Sequence, residues 1–117
     1  SDLSPNGVIL TGEATKDKLT MYGYLYITVT WEKKPGQNVR ITGIKKAWTT
    51  DPYMKLQNTS CSSSSATAYF YDNTHIATDS IKIYASEIQT WFILMSLLNT
   101  FMEEFYFTGM RENHPGV

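Results

Sequence analysis

Between Thr20 and Trp31, in the stretch TMYGYLYITVTW, Leu25, Ile27, Val29 and Trp31 alternate with Tyr24, Tyr26, Thr28 and Thr30. Alternation with period two predicts a strand with an aliphatic face turned to a core and a tyrosine and threonine face left half wet. Pro35 and Gly36 then supply turn chemistry, and VRITGIKKAW resumes the pattern through Val39 and Ile41, with Gly43 marking an expected bulge before Ile44 and Trp48. Residues 20–31 and 39–48 therefore predict a long antiparallel hairpin.

Shorter runs surround it. GVILTG (7–12) predicts a first or edge strand, TTDPY a turn, and YMKLQN (53–58) a short strand. ATAYFY and SIKIYA alternate on either side of a turn carrying Asp72 and Asn73, which makes a second hairpin. Before it, SCSSSSA (60–66) reads as a flexible low-complexity loop whose hydroxyls compete for local backbone bonds.

The period changes after residue 86. On a helical wheel Ile88, Trp91, Phe92, Leu94, Met95, Leu97, Leu98, Phe101, Met102 and Phe105 cover slightly more than half the circumference, and Gln89, Ser96, Thr100, Glu103 and Glu104 share the other side. Ser86 and Gln89 have capping-box spacing, Glu87 falls in the first turn where the helix dipole favours it, and Gly109 stands where a C-terminal cap is expected. The pattern predicts a helix over about 87–107. The competing reading is a third hairpin, with strands near 88–97 and 101–108, which would make an all-β sandwich. A transmembrane span fits least, because the unbroken apolar run is well short of roughly 20 residues and Glu103 and Glu104 would sit in the bilayer.

The predicted fold is thus mainly β: an antiparallel sheet or sandwich built from long hairpins, with one C-terminal amphipathic helix laid across it. Its core is expected from Leu25, Ile27, Val29, Ile41, Phe70, Ile81 and Ile83, with Trp91, Met95 and Phe105 buried beneath the helix. Any overhang of the apolar sector would be a homodimer or membrane contact.

At 117 residues the chain has room for one core and one globular domain. Charged residues make up 18% and the net charge is −1, while Ser and Thr together contribute roughly a fifth, the composition of a globular β domain rather than of a disordered tail. The lone Cys61 closes no intrachain disulfide. The start of the chain shows no leader pattern, so a signal peptide is expected to be removed or never present. The hydroxyl-rich, charge-poor composition leans toward an extracellular or cell-surface setting, with the cytoplasm as the alternative.

Candidate chemistry is sparse. His75 follows a turn and His114 lies in a Pro- and Gly-containing tail, neither at a meaningful spacing from a nucleophile or carboxylate. Cys61 needs a histidine brought to it by the fold before it can act as a nucleophile. No CxxC, HxxxH or acidic-loop spacing predicts a metal, the dispersed glycines build no phosphate cradle, and no cofactor is expected; Asp72, Asn73 and His75 read as a polar turn before a weak cation site. Asn58 begins an N-T-S sequon, which matters only in a secreted protein.

The net charge hides an asymmetry. From 32 to 55, Lys33, Lys34, Arg40, Lys45, Lys46 and Lys55 outnumber Glu32 and Asp51, whereas Asp79, Glu87, Glu103, Glu104 and Glu112 make the C-terminal third acidic. The basic hairpin also carries Tyr22, Tyr24 and Tyr26, and Tyr53 stands next to it. Together these predict a non-enzymatic binding module whose site is Tyr22, Tyr24, Tyr26, Lys33, Lys34, Arg40, Lys45 and Lys46, meeting an anionic polymer, a glycan or a protein through charge and ring stacking. The structural alternative is that edge lysines discourage aggregation. Two other classes stand beside it: a small membrane-active or pore-associated protein using 91–107, and a small hydrolase whose groups meet only in three dimensions.

Overall fold

The alternating stretch at 20–31 becomes the central strand of a three-stranded antiparallel sheet. The computed structural model describes residues 7–113, with side chains through Thr108. Strands β1 (Leu10–Leu19), β2 (Tyr24–Lys33) and β3 (Arg40–Thr49) form one sheet in the order β1-β2-β3; β4 (Met54–Cys61), β5 (Ser65–Asp72) and β6 (Ala77–Tyr84) form a second in the order β4-β5-β6. One helix, α1 (Ala85–Asn113), follows. The sheets face each other, and the core between them is apolar, mostly aliphatic around one ring: Leu25, Ile27, Val29 and Ile41 from the first, Ala66, Ala68, Phe70, Ile81 and Ile83 from the second. All seven residues expected in the core are buried. Each large side chain there contributes on the order of 1.5–3 kcal/mol.

The β2–β3 hairpin has the expected pairing, and its irregularities flank Gly43 instead of sitting on it. Thr28 faces Lys46 while Val29 faces Ile44, so Lys45 is extra; Thr30 faces Gly43 while Trp31 faces Ile41, so Thr42 is extra. The first bulge turns both Lys45 and Lys46 to the outer surface.

Strand β1 begins at Leu10, inside the 7–12 run, and continues well beyond it through EATKDKL to Leu19. Its inward positions are Gly12, Ala14, Lys16 and Lys18. Gly12 lies under Trp31, where a Cβ would stand 2.5 Å from the indole. Lys16 and Lys18 reach across the open side of the sandwich: Lys16 Nζ donates to the Glu87 carboxylate (2.9 Å) and the Lys82 carbonyl (3.0 Å), Lys18 Nζ to Asp79 (2.6 Å) and the Ser80 carbonyl (2.9 Å). Long amphipathic side chains can occupy an inward edge position because their heads still reach water or a partner.

The serine run is ordered rather than flexible. Ser62 Oγ accepts the amides of Ser64 and Ser65, the Ser63 carbonyl accepts the Ile41 amide from the opposite sheet, and the Ser64 carbonyl accepts the Ala85 amide at the start of α1. Hydroxyl turn chemistry here clasps the two sheets together beside the helix.

Helix α1 starts as a capped extension of β6. Glu87 Oε1 accepts the Tyr84 amide (3.0 Å), the reciprocal half of a capping box. Gln89, expected to pair with Ser86, instead accepts the Val39 amide at 2.7 Å and ties the helix to β3. Ala85 and Ile88 are buried, and Phe92 meets Trp31 edge to face at 6.0 Å.

Beyond that turn the expectation fails. The helix does not lie across a sheet; it leaves the sandwich, and Trp91 (39% exposed), Met95 (58%) and Phe105 (68%) are open to solvent. The physical reason is that the apolar face of each sheet is already covered by the other. The helix also runs past its expected end and through Gly109 to Asn113. The molecule is accordingly 70 Å long and 16 Å thick. Among the described residues no helix is long and apolar enough to cross a membrane.

Candidate functional site

Side chains opposite one another across an antiparallel pair share a face, so the β2–β3 register decides what the outer surface of the first sheet presents. Tyr26 faces Trp48, and Thr28 faces Lys46. The Tyr26 and Trp48 rings stack at 4.8 Å with 6° between planes, Tyr24 lies 6.1 Å from Tyr26, and Lys46 Nζ sits 4.7 Å from the Trp48 ring centre. Tyr24 is the most open of these rings, 42% exposed.

Three connections meet at the same end of the sheet. Tyr22 lies in the β1–β2 turn, directly before the start of β2; Tyr53 lies in the β3–β4 connection; His75 lies in the β5–β6 turn. Their rings form a second cluster, with Tyr22 and Tyr53 4.8 Å apart, Tyr22 stacked on His75 at 5.2 Å, and Tyr53 edge-on to His75 at 4.8 Å. Two buried carboxylates hold the connections. Asp51 accepts the Thr20 hydroxyl (2.8 Å) and the Tyr53 amide (2.9 Å). Asp72 accepts the amides of Thr74 and His75 through Oδ1 and the His75 ring through Oδ2 at 2.7 Å. Burial pushes the Asp72 carboxyl up, but these hydrogen bonds from His75 and Thr74 together outweigh it and hold the group below its ordinary value.

The turns are close-packed. A Cβ on Gly23 would stand 2.6 Å from the Asp51 amide nitrogen, so only glycine lets the β1–β2 turn approach the β3–β4 connection this closely. A cavity of about 280 Å³ opens below, lined by Thr20, Tyr22, Asp51, Met54, Asp72 and His75 among others. Around its rim Met21 (86% exposed) and Ile76 (81%) project into solvent, and Ile76 is held at φ 52°, a left-handed backbone that β-branched residues rarely adopt.

The expected site residues separate into three groups. Tyr24, Tyr26 and Lys46 share the outer face with Trp48. Tyr22 belongs to the second ring cluster. The remaining cations are committed elsewhere: Lys33 is buried and donates to the Lys34 carbonyl at 3.1 Å, Arg40 (2.5 Å) and Lys34 (3.7 Å) both hold Glu32, and Lys45 holds Glu13 at 2.7 Å. The Arg40 hydrogen bond, with the charges of Arg40 and Lys34, keeps the Glu32 carboxyl below its ordinary range against some burial. The basic hairpin of the sequence is therefore largely neutralised in the fold, and β1 and β2 supply the carboxylates.

Trp48 and His75 are the members sequence reasoning left out, while Tyr53 was read beside the basic ribbon but not as a site residue. Trp48 carried a readable signal, since its period-two spacing from Lys46 puts both on one face of β3. His75 carried none, because it joins Tyr22 and Tyr53 only when connections from both sheets converge.

Cys61 stands at the β4–β5 turn and His75 at the β5–β6 turn, opposite ends of β5, so these two do not combine. Among the described residues no three metal-ligating side chains group together, and both oxygens of Asp72 are engaged by the turn itself. His114 lies outside the described residues. No family model, curated protein or solved structure matches the chain.

Proposed function

We propose that this protein is a non-enzymatic interaction module that binds a glycan across the aromatic end of the sandwich. One observation carries the reading: two ring clusters lie at one end of the sandwich, Tyr24–Tyr26–Trp48 on the outer face of the first sheet and Tyr22–Tyr53–His75 among the connections of both sheets, the second beside an open cavity. Rings offer large, rigid contact area with a polar tip, which suits sugars with one apolar face and a hydroxyl rim. Charge is the smaller term. Exposed ion pairs contribute roughly 0.2–1 kcal/mol, and Lys34, Arg40 and Lys45 already have carboxylate partners. Lys46, over Trp48, is the cation best placed to meet an acidic substituent. An extracellular or cell-surface setting, where glycans are met, belongs to this proposal, and the hydroxyl-rich composition supports it.

Titration of neutral and acidic polysaccharides, followed by isothermal titration calorimetry, tests it. Trp48→Ala or Tyr22→Ala is expected to weaken binding about tenfold, the ~1.4 kcal/mol of one lost ring contact, with the fold retained. Arg40→Gln and Lys45→Gln are expected to change it less than about twofold. Raising salt from about 50 to 200 mM should cost no more than about threefold, as for one released counterion. A loss of a hundredfold or more would mean that several cations carry an anionic polymer instead.

A further inference from the structure

We infer that α1 beyond Phe92 is an assembly element that packs antiparallel against the same segment of further copies of this chain. The inference is independent of the glycan reading. It starts from a spacing: Ile88, Trp91, Met95, Leu98, Met102 and Phe105 follow one another at intervals of three, four, three, four and three, the seam of a left-handed helix pair. The first of these is buried against the chain's own sandwich, and the seam then continues into solvent. It is shorter than a free-standing coiled coil requires, so flanking Leu94 and Phe101 must join the contact.

The area is sufficient. Leu94, Met95, Leu98, Phe101, Met102 and Phe105 are 50–68% exposed. Covering them removes roughly 650 Å² from each copy, about 1,300 Å² in a pair, inside the range of specific protein interfaces. Left uncovered, that surface exceeds the few hundred Å² that monomers ordinarily expose.

Charge selects the occupant and the direction. Between 88 and 108 the helix carries no Lys or Arg, only Glu103 and Glu104. A helix lying on a lipid surface depends on cations flanking its apolar face, so a membrane is the poorer fit. In a parallel pair the two acidic dipeptides would lie side by side, roughly 10 Å apart. Antiparallel order centred on Leu98 separates them by roughly 15–18 Å along the axis. The same order brings Phe105 of the second copy level with Trp91, beside an apolar groove of about 210 Å³ lined by Ala14, Trp31, Trp91, Phe92 and Met95. Ile93, Leu97 and Phe107 are exposed outside the seam. The bundle can therefore take more than two copies.

Sedimentation equilibrium of the full chain between about 1 and 100 µM is the test, with Leu98→Glu as the variant. Leu98 is exposed in the single chain, so the variant keeps the sandwich, which circular dichroism verifies. The expected result is a mass at least twice 13.3 kDa for the natural chain and 13.3 kDa for the variant. Direction is read by oxidation in a Cys61→Ser background: Leu98→Cys should cross-link to itself and Phe105→Cys should not. A natural chain that stays monomeric at 100 µM overturns the inference, as does a Leu98→Glu variant that still associates. Equal cross-linking through Phe105→Cys overturns the antiparallel order. Monomers that float with phosphatidylcholine and phosphatidylglycerol vesicles would assign the helix to a membrane surface.

Discussion

At the scale of single residues, the two best-determined features of the site were of opposite legibility. Tyr24 and Tyr26 declare themselves by alternation, and their place on the outer face follows from the burial of Leu25, Ile27 and Val29 on the other. Ile76 does not declare itself at all. As a β-branched residue it predicts strand, yet it closes the β5–β6 turn at φ 52° with 81% of its surface exposed. Left-handed backbone costs an L-residue about 1–2 kcal/mol, and nothing apolar covers the side chain in return. Ile76→Gly is therefore expected to raise stability, by up to about 1 kcal/mol after the added chain entropy of glycine is offset. Equilibrium denaturation checks this. If the substitution also weakens glycan binding, the exposed isoleucine belongs to the recognition surface, which would explain why a strained residue is kept at the tip.

At the scale of elements, the hairpins at 20–49 and 65–84 were legible because both faces of each strand keep a consistent character. The first strand was legible only at its apolar start, because beyond Gly12 the chain turns polar; there the fold uses Lys16 and Lys18 to tie the edge of one sheet to Glu87 and Asp79 of the other. The basic hairpin pairs within its own sheet, Lys34 and Arg40 with Glu32 and Lys45 with Glu13, while Asp79 and Glu87 of the acidic third meet Lys16 and Lys18 of β1, so the asymmetry along the sequence says little about the charge of any one face. The helix was legible as an element, but its surroundings were not, because a wheel shows which side is apolar without saying what covers it. Its beginning depends on Glu87, which accepts the Tyr84 amide and the Lys16 ammonium. Glu87→Ala is expected to cost about 1–2 kcal/mol through loss of the cap and the partly exposed ion pair, and to fray the first turn. Amide exchange at Tyr84 and through the first turn of α1 would report the fraying, and unchanged protection there would mean that the clasp from Ser64 holds the turn alone.

At the scale of the whole molecule, the structure separates two jobs that the sequence had merged. The sandwich closes its own core with aliphatic side chains from both sheets, and the apolar helix read as the cover for that core is free for other contacts. Fold class was legible because it depends on local periodicity. The partition between core and interface depends on how many layers compete for the same apolar surface, which no local pattern records. On the proposed assembly, the sandwich stands alone while the helix answers to other copies. The concentration dependence of thermal unfolding tests it most directly, comparing the full chain with one ending at Phe92. Association that favours the folded state raises the melting temperature with protein concentration. The midpoint is expected to climb by several degrees between about 1 and 100 µM for the full chain, while the shorter chain unfolds cooperatively at one temperature throughout. A concentration-independent midpoint for the full chain, together with a shorter chain that fails to fold, would show that the helix serves the single chain's own stability and would contradict it.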